Sequence, residues 1–225
     1  MKLLVIDGNS ILNRSFYAIK RLQTSDGRNT NGIFGFMKTF YGLIDKYAPD
    51  AVAVAFDVHA PTFRHKMFEA YKGTRHPSPV ELIEQFAPLK ELLVSLGYCV
   101  VEKEGYEADD ILGTLSHACG EDDVCFLATG DRDSLQLVRK NVFVVLSSSK
   151  AGQSMQIVYD ESKIREDYLV SPEQLIDIKA IQGDTSDNIP GVAGIGEKGA
   201  VALLSQFETL DKIYASLPEG MKPST

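Results

Sequence analysis

Three short apolar runs in this chain stop at aspartate. Residues 3–6 run into Asp7, residues 51–56 (AVAVAF) into Asp57, and residues 124–128 (VCFLA) into Thr129-Gly130-Asp131. Each run is apolar at successive positions, as a strand covered on both faces must be. Helical periodicity fills the gaps. Residues 33–47 place Phe34, Met37, Phe40, Tyr41, Leu43 and Ile44 on a helical stripe, and residues 79–96 repeat the pattern before Gly97. Residues 98–101 and 142–146 read as further strands. Strands alternating with helices predict an α/β fold with a mainly parallel sheet. In such sheets the crevice beyond the carboxyl ends of the strands takes the ligand. Asp7, Asp57 and Asp131 therefore predict an acidic crevice.

More carboxylates fall near it in sequence. Asp133 follows in TGDRD. Glu107, Asp109 and Asp110 open a helix in GYEADDILGT, after the strand at 98–101. Asp184 and Asp187 come from GDTSDN. Each acid alone is also what an ordinary turn residue or N-cap looks like. Nine in one crevice would repel strongly unless cations neutralised them. Hard oxygen donors suit Mg²⁺ or Mn²⁺, and a cluster this rich implies two or more ions. Two ions about 4 Å apart are a known solution for phosphodiester hydrolysis.

The formal net charge of −8 argues against a nucleic-acid partner. With the nine acids set aside, −8 becomes +1. Residues 64–76 also carry Arg64, Lys66, Lys72 and Arg75 against one acid, Glu69, with Phe63, Phe68 and Tyr71 interleaved. Basic groups clamp phosphate and aromatics stack unpaired bases. A solvated amphipathic helix has the same pattern.

After residue 160 the texture becomes helical. Ser171-Pro172-Glu173-Gln174 reads as a capping box opening a helix that runs to about residue 181. Helices at 198–207 and 210–217 follow a glycine-rich stretch. That stretch contains Gly194, Gly196 and Gly199 as a literal G-x-G-x-x-G. A dinucleotide site needs a strand before this string and an acid ending another strand about 20 residues later. Here a helix precedes it, and Asp211 falls between helices. No apolar run approaches the ~20 residues of a membrane span. Cys99, Cys119 and Cys125 have no metal-ligand spacing and read as reduced core thiols of a cytoplasmic protein.

Taken together, VIDGNS, AFD, PTFRH, EAYKGTR, GYEADDILGT, TGDRDSLQLV and GDTSDNIPGVAGIGEKGA resemble the 5′-nuclease (flap endonuclease) family. The resemblance is greatest to the N-terminal 5′→3′ exonuclease domain of bacterial DNA polymerase I. The motifs occur in the family's order over nearly the whole chain. The resemblance implies a PIN-like α/β core over residues 1–160, with a helical arch at about 60–80. It implies a DNA-binding helix–three-turn–helix region over 161–225. Metal ligation is implied for Asp7, Asp57, Glu107, Asp109, Asp110, Asp131, Asp133, Asp184 and Asp187. Lys72 and Arg75 are implied at the scissile phosphate, Tyr71 as a stacking aromatic and Arg64 at the arch base. Gly191, Gly194 and Gly196 would present backbone N–H groups to duplex phosphates, around a K⁺ ion, with Lys198 nearby. Phe34 and Phe36 fall where the family faces the duplex end.

The implied activity is metal-dependent hydrolysis of DNA carrying a 5′ end or 5′ flap, or of an RNA–DNA hybrid. The implied setting is a cytoplasmic, nucleoid-associated bacterial monomer, with polymerase domains on the same parent chain. In the family the polypeptide continues past residue 217, so the end at Pro223-Ser224-Thr225 reads as a truncation. A silent DNA-binding relative would have lost carboxylates. A PIN-type ribonuclease would lack the arch and GDTSDNIPGV segments.

Overall fold

The computed structural model describes residues 1–150 and 153–216. Its centre is a six-stranded sheet in the order β3-β2-β1-β4-β5-β6. The strands are β1 (Lys2–Asp7), β2 (Ala51–Phe56), β3 (Cys99–Glu102), β4 (Val124–Thr129), β5 (Val142–Lys150) and β6 (Gln153–Tyr159). The first five are parallel and β6 runs antiparallel to β5. The mainly parallel α/β architecture follows the expectation from the alternating runs.

Alternate residues of β1 enter opposite cores. Val5 packs with Ala53, Leu112, Leu127 and Val144 on one face. Leu4 and Ile6 pack with Leu12, Phe36, Phe40, Phe56 and Leu89 on the other. The second face is covered by α1 (Gly8–Ala18), α2 (Asn31–Tyr47) and α5 (Phe86–Ser95). The first is covered by α6 (Ala108–Ala118) and α7 (Glu161–Tyr168). Each buried Leu or Phe stabilises by roughly 1.5–3 kcal/mol, which explains the doubly apolar runs. A third core joins Val170, Ile178, Ile181, Ala200 and Leu204. It holds together α8 (Gln174–Gln182) and α9 (Glu197–Phe207), with α10 (Leu210–Ser216) beside them. Between α8 and α9 lies a two-stranded ribbon, β7 (Gly183–Asp184) and β8 (Ile189–Pro190).

Several local expectations are corrected. The helix expected over 79–96 is two, α4 (Val80–Ile83) and α5. Pro88 has no N–H to donate to the carbonyl of Glu84, so the helix restarts just before it. Gln85, fully buried at the break, donates to Asn31 Oδ1 and Glu81 O and accepts from Ile33 N. The arch segment is not a continuous helix. After α3 (Phe63–Met67) it proceeds by turns, with Lys72 left-handed at φ 56°. Gly73, Pro77 and Pro79 disfavour helix there. Cys125 is buried, but Cys99 is exposed rather than a core thiol. Phe34 is exposed while Phe36 is wholly buried, so only the former faces outward. Leu217 and Pro223-Ser224-Thr225 lie outside the described residues.

The capping box at Ser171 is present. Ser171 N donates to Gln174 Oε1 at 2.9 Å, and Gln174 N to Ser171 Oγ at 3.4 Å.

Candidate active site

Strand register brings the first carboxylates to one edge. Asp7 pairs with Ala55, so Asp57 lies just beyond it. Ile6 pairs with Ala128, which sets Thr129 beside Asp7 and Asp131 past the strand end. Asp7 ends β1 and also caps α1, accepting from Ser10 N at 2.9 Å and from Thr129 Oγ1 at 2.8 Å. Asp57 accepts from Ala108 N at 2.6 Å, which ties β2 to the start of α6. Asn9 Oδ1 in turn accepts from Asp57 N. Asp131 caps the 3₁₀ turn Arg132–Leu137 and accepts from Asp133 N. Asp109, in the first turn of α6, accepts from Ser134 Oγ at 3.2 Å.

Asp7, Asp57, Asp109 and Asp131 have no Lys or Arg partner among the described residues. Burial pushes Asp7 up to about 6, and repulsion from Asp57 and Asp131 adds to it against two hydrogen bonds. Burial likewise pushes Asp109 up to about 8, with repulsion from Asp7, Asp131 and Asp57. Asp57 is exposed as a residue, yet protein on one side of its carboxylate strips enough water to raise it. The Ala108 bond and the Lys72 charge oppose that rise.

The other five acids are held by cations. Glu107 is the N-cap of α6, and Asp110 closes its capping box. Arg64 donates to both oxygens of Asp110, at 2.7 and 2.8 Å. Burial favours the neutral Asp110, but the Arg64 bonds outweigh it and hold the carboxyl low. Lys72 Nζ donates to Glu107 at 2.8 Å, and Arg75 to Asp187 at 2.5 Å. Tyr71 Oη lies 3.0 Å from both Glu107 and Asp187. The Tyr71 ring is buried, 5 % exposed, with an edge contact to His65. In this conformation it offers no face for stacking a base.

Lys179, on α8, has no motif that marks it in the sequence. Its Nζ lies 2.8 Å from Asp133 Oδ1 and 2.7 Å from Asp184 Oδ2. Burial raises Asp184, but bonds from Lys179 and Ser186 outweigh it and bring it down to about 2. For Asp133 burial wins and the shift is upward. Thr129, Ser10, Asn9 and Ser134, which orient the acids, were also unsignalled. The one available hint was a single lysine in the apolar stretch IDIKAIQ, five residues before Asp184.

The donor set is all carboxylate oxygen, which suits a hard divalent cation. Asp7 is buried and Asp109 half-buried, both without a Lys or Arg partner among the described residues, a state a bound cation relieves. Among the described residues, no three His, Cys, Asp or Glu side chains are set to hold a metal ion as they stand. Glu107, Asp110, Asp133, Asp184 and Asp187 are engaged by Lys or Arg, whereas Asp7, Asp57, Asp109 and Asp131 are not.

The glycines divide by role. A Cβ on Gly191 would sit 2.1 Å from the Gln182 carbonyl, so this glycine serves the close packing of β8 on the end of α8. Gly194 has φ +82° with open space around it, and Gly196 is the N-cap of α9, also open. Lys198 is exposed in the first turn of α9, beside Glu197. These three remain at an accessible helix N-terminus, which favours anions.

A parallel sheet with carboxylates at its carboxyl edge, a basic segment folded over them and a helical unit closing one side defines an acidic-cleft α/β nuclease class. The profile of the 5′-3′ exonuclease N-terminal resolvase-like domain matches residues 2–169, and that of the 5′-3′ exonuclease C-terminal SAM fold matches 170–225. The chain belongs to the 5′-3′ exonuclease family. It is 43 % identical over 220 residues to DNA polymerase I of Caldicellulosiruptor bescii, covering 96 % of this chain and 26 % of that protein. It thus spans about a quarter of the length of that relative. It is 40 % identical over 228 residues to a 5′-3′ exonuclease of Bacillus subtilis, covering 98 % and 76 %. Among solved structures it is similar to the bacteriophage T5 D15 flap endonuclease in a pseudo-enzyme–product complex with DNA and metal ions. That match has a TM-score of 0.78 at 25 % identity, covering 99 % of this chain and 82 % of that one. Among the described residues no helix is long and apolar enough to cross a membrane.

Proposed function

We propose that this chain is a 5′ nuclease that hydrolyses phosphodiester bonds in DNA bearing a 5′ end or 5′ flap, or in an RNA–DNA hybrid. The observation that carries the reading is the gathering of uncompensated carboxylates at the ends of β1, β2 and β4, with Lys72 and Arg75 of the arch folded over their neighbours. The T5 flap endonuclease complex, with its DNA and metal ions, supports the substrate and the need for divalent cations.

Asp7, Asp57, Glu107, Asp109, Asp110, Asp131, Asp133, Asp184 and Asp187 are the proposed ligands, for two or more Mg²⁺ or Mn²⁺ ions. When bound, such ions supply a water of lowered pKa and neutralise the developing charge. The chain's own residues do the rest. Released from Glu107 and Asp187, Lys72 and Arg75 offset charge on the phosphate oxygens. Arg64, locked to Asp110, fixes the base of the arch. Gly194, Gly196 and Lys198 take a duplex phosphate at the α9 N-terminus, with K⁺ at the 191–196 loop. Residues 1–160 then form the cutting unit and 161–225 the duplex grip. Polymerase domains on the same parent chain fit the Caldicellulosiruptor relative. The stand-alone Bacillus exonuclease fits the opposite arrangement. A cytoplasmic, nucleoid-associated monomer completes the reading.

The test is cleavage of a 5′-flap DNA in Mg²⁺ by wild type, Asp131→Asn and Lys72→Ala. Each substitution is expected to lower kcat at least ~100-fold, the scale of removing a preorganised electrostatic group. Near-wild-type cleavage by both variants would sink the assignment. A matched single-stranded RNA, cut more slowly than the flap, separates this activity from a PIN-type ribonuclease.

A further inference from the structure

The arch does not only lie over the acidic cleft; its backbone is tied to the loop between β7 and β8. Lys72 N donates to Asp187 O at 2.9 Å. Asn188 Nδ2 donates to Ala70 O at 2.8 Å. Arg75 Nε donates to Ser186 O at 3.2 Å. Three consecutive loop residues thus hold a six-residue stretch of arch across more than 110 positions of sequence. All three contacts end on backbone carbonyl oxygens and use no carboxylate.

Backbone conformation points the same way. Lys72 has φ 56° and Asn188 φ 58°, both left-handed. Asn is among the residues that tolerate this region, and its amide supplies the donor. Ala70 O also accepts from Gly73 N, and Lys72 O from Arg75 N, so the arch stretch is one tight turn. Pinning Ala70 and Lys72 therefore fixes where the Lys72 and Arg75 side chains start. Asn188 itself ligates nothing in the proposed site and forms no ion pair among the described residues.

We propose that Asn188 is a positioning residue: it clasps the arch at Ala70 and so sets Lys72 and Arg75 over the reacting phosphate. The proposal rests on the nuclease reading above. Because the clasp spans the arch and the helical unit, a shift of β8 moves the two cations with it.

Asn188→Gly keeps the left-handed backbone accessible and removes the amide. Asn188→Asp keeps the shape and removes the donor. Both are to be assayed on a 5′-flap DNA in Mg²⁺, alone and with Lys72→Ala. The expected result is a ~10-fold or greater fall in kcat for each, with KM within about 3-fold. In the Lys72→Ala background the same changes should have a smaller effect than in wild type, because one of the two groups being positioned is gone. Amide hydrogen exchange of residues 70–75 should speed up at least ~10-fold in both variants, with the unfolding midpoint unchanged. Wild-type kcat, full additivity with Lys72→Ala, or unchanged exchange at 70–75 overturns the clasp. A lowered unfolding midpoint with uniformly faster exchange across the chain also overturns it, since Asn188 would then be structural. If wild type itself fails to cut, the nuclease reading falls, while the exchange measurement still decides the clasp.

Discussion

Asp109 carries the strongest electrostatic conflict in the cleft. Its half-buried carboxylate at the start of α6 is shielded from water and faces Asp7, Asp131 and Asp57 with one serine hydroxyl for relief. Asp7 is in the same position with two hydrogen bonds. Folded-state values of about 8 and about 6 lie above the ordinary carboxylate value. The folded protein thus binds protons that the unfolded chain has released. That stability is complete below about pH 4 and is lost as pH rises through about 6 for Asp7 and about 8 for Asp109. At about 1.4 kcal/mol per unit, Asp7 alone accounts for on the order of 3 kcal/mol. Asp110 and Asp184, shifted the other way, lose their contribution only in more acidic solution. In EDTA the unfolding midpoint should therefore fall between pH 5 and pH 8.5. Mg²⁺ should raise the midpoint more at the upper pH than at the lower. Asp109→Asn should flatten the EDTA profile and raise the midpoint at high pH, while lowering cleavage at least ~100-fold. Thermal scans at three pH values with and without Mg²⁺ check this, and a flat wild-type profile in EDTA refutes it.

The glycine stretch between α8 and α9 is where element geometry can be tested one residue at a time. Gly191→Ala forces a Cβ into the Gln182 backbone and should cost more than about 2 kcal/mol, opening the β7–β8 ribbon. Gly194→Ala meets no neighbour but must hold φ +82°, a cost of about 1 kcal/mol. Gly196→Ala meets neither obstacle and should cost less than about 1 kcal/mol as an N-cap change. Urea unfolding should rank them in that order, and equal losses would show that the ribbon is not the tight point. The string G-x-G-x-x-G could not reveal this ranking, because it records where side chains are missing and not what lies opposite. The same limit applies to Pro88, whose effect depends on Glu84 one turn back, and to the arch, whose basic and aromatic spacing mimics a helix that Gly73 and two prolines prevent. Legibility was best where burial acts on every residue of an element, as in AVAVAF and the Ser171 box. It was poorest for Lys179 and Thr129, whose roles exist only once distant elements meet. α1 had no sequence expectation at all: Gly8-Asn9-Ser10 become its first turn because Asp7 caps them.

At the scale of the whole molecule, Lys179 stands where the sheet unit and the helical unit meet. Its ammonium joins Asp133 of the sheet unit to Asp184 of the helical unit. The side chain is 41 % exposed, so solvent screening limits the pair energy to about 1 kcal/mol or less. A positive charge at this point also competes with any cation for the same oxygens. Removing it leaves two carboxylates with no countercharge, and a divalent ion then gains what the ammonium gave up. Lys179→Met should therefore lower the midpoint in EDTA by a few degrees at most. It should also tighten Mn²⁺ binding, measured calorimetrically without DNA, by about 3- to 10-fold. The opposite change, weaker Mn²⁺ binding, would mean that the lysine holds the two acids in ligating position and does not merely occupy them. The calorimetric readout is independent of cleavage, so it separates competition from positioning even if the variant cuts poorly. If competition holds, cation loading and closure of the helical unit on the sheet oppose each other at this one residue. The free protein is then held together at the seam by the charge that its cations must displace.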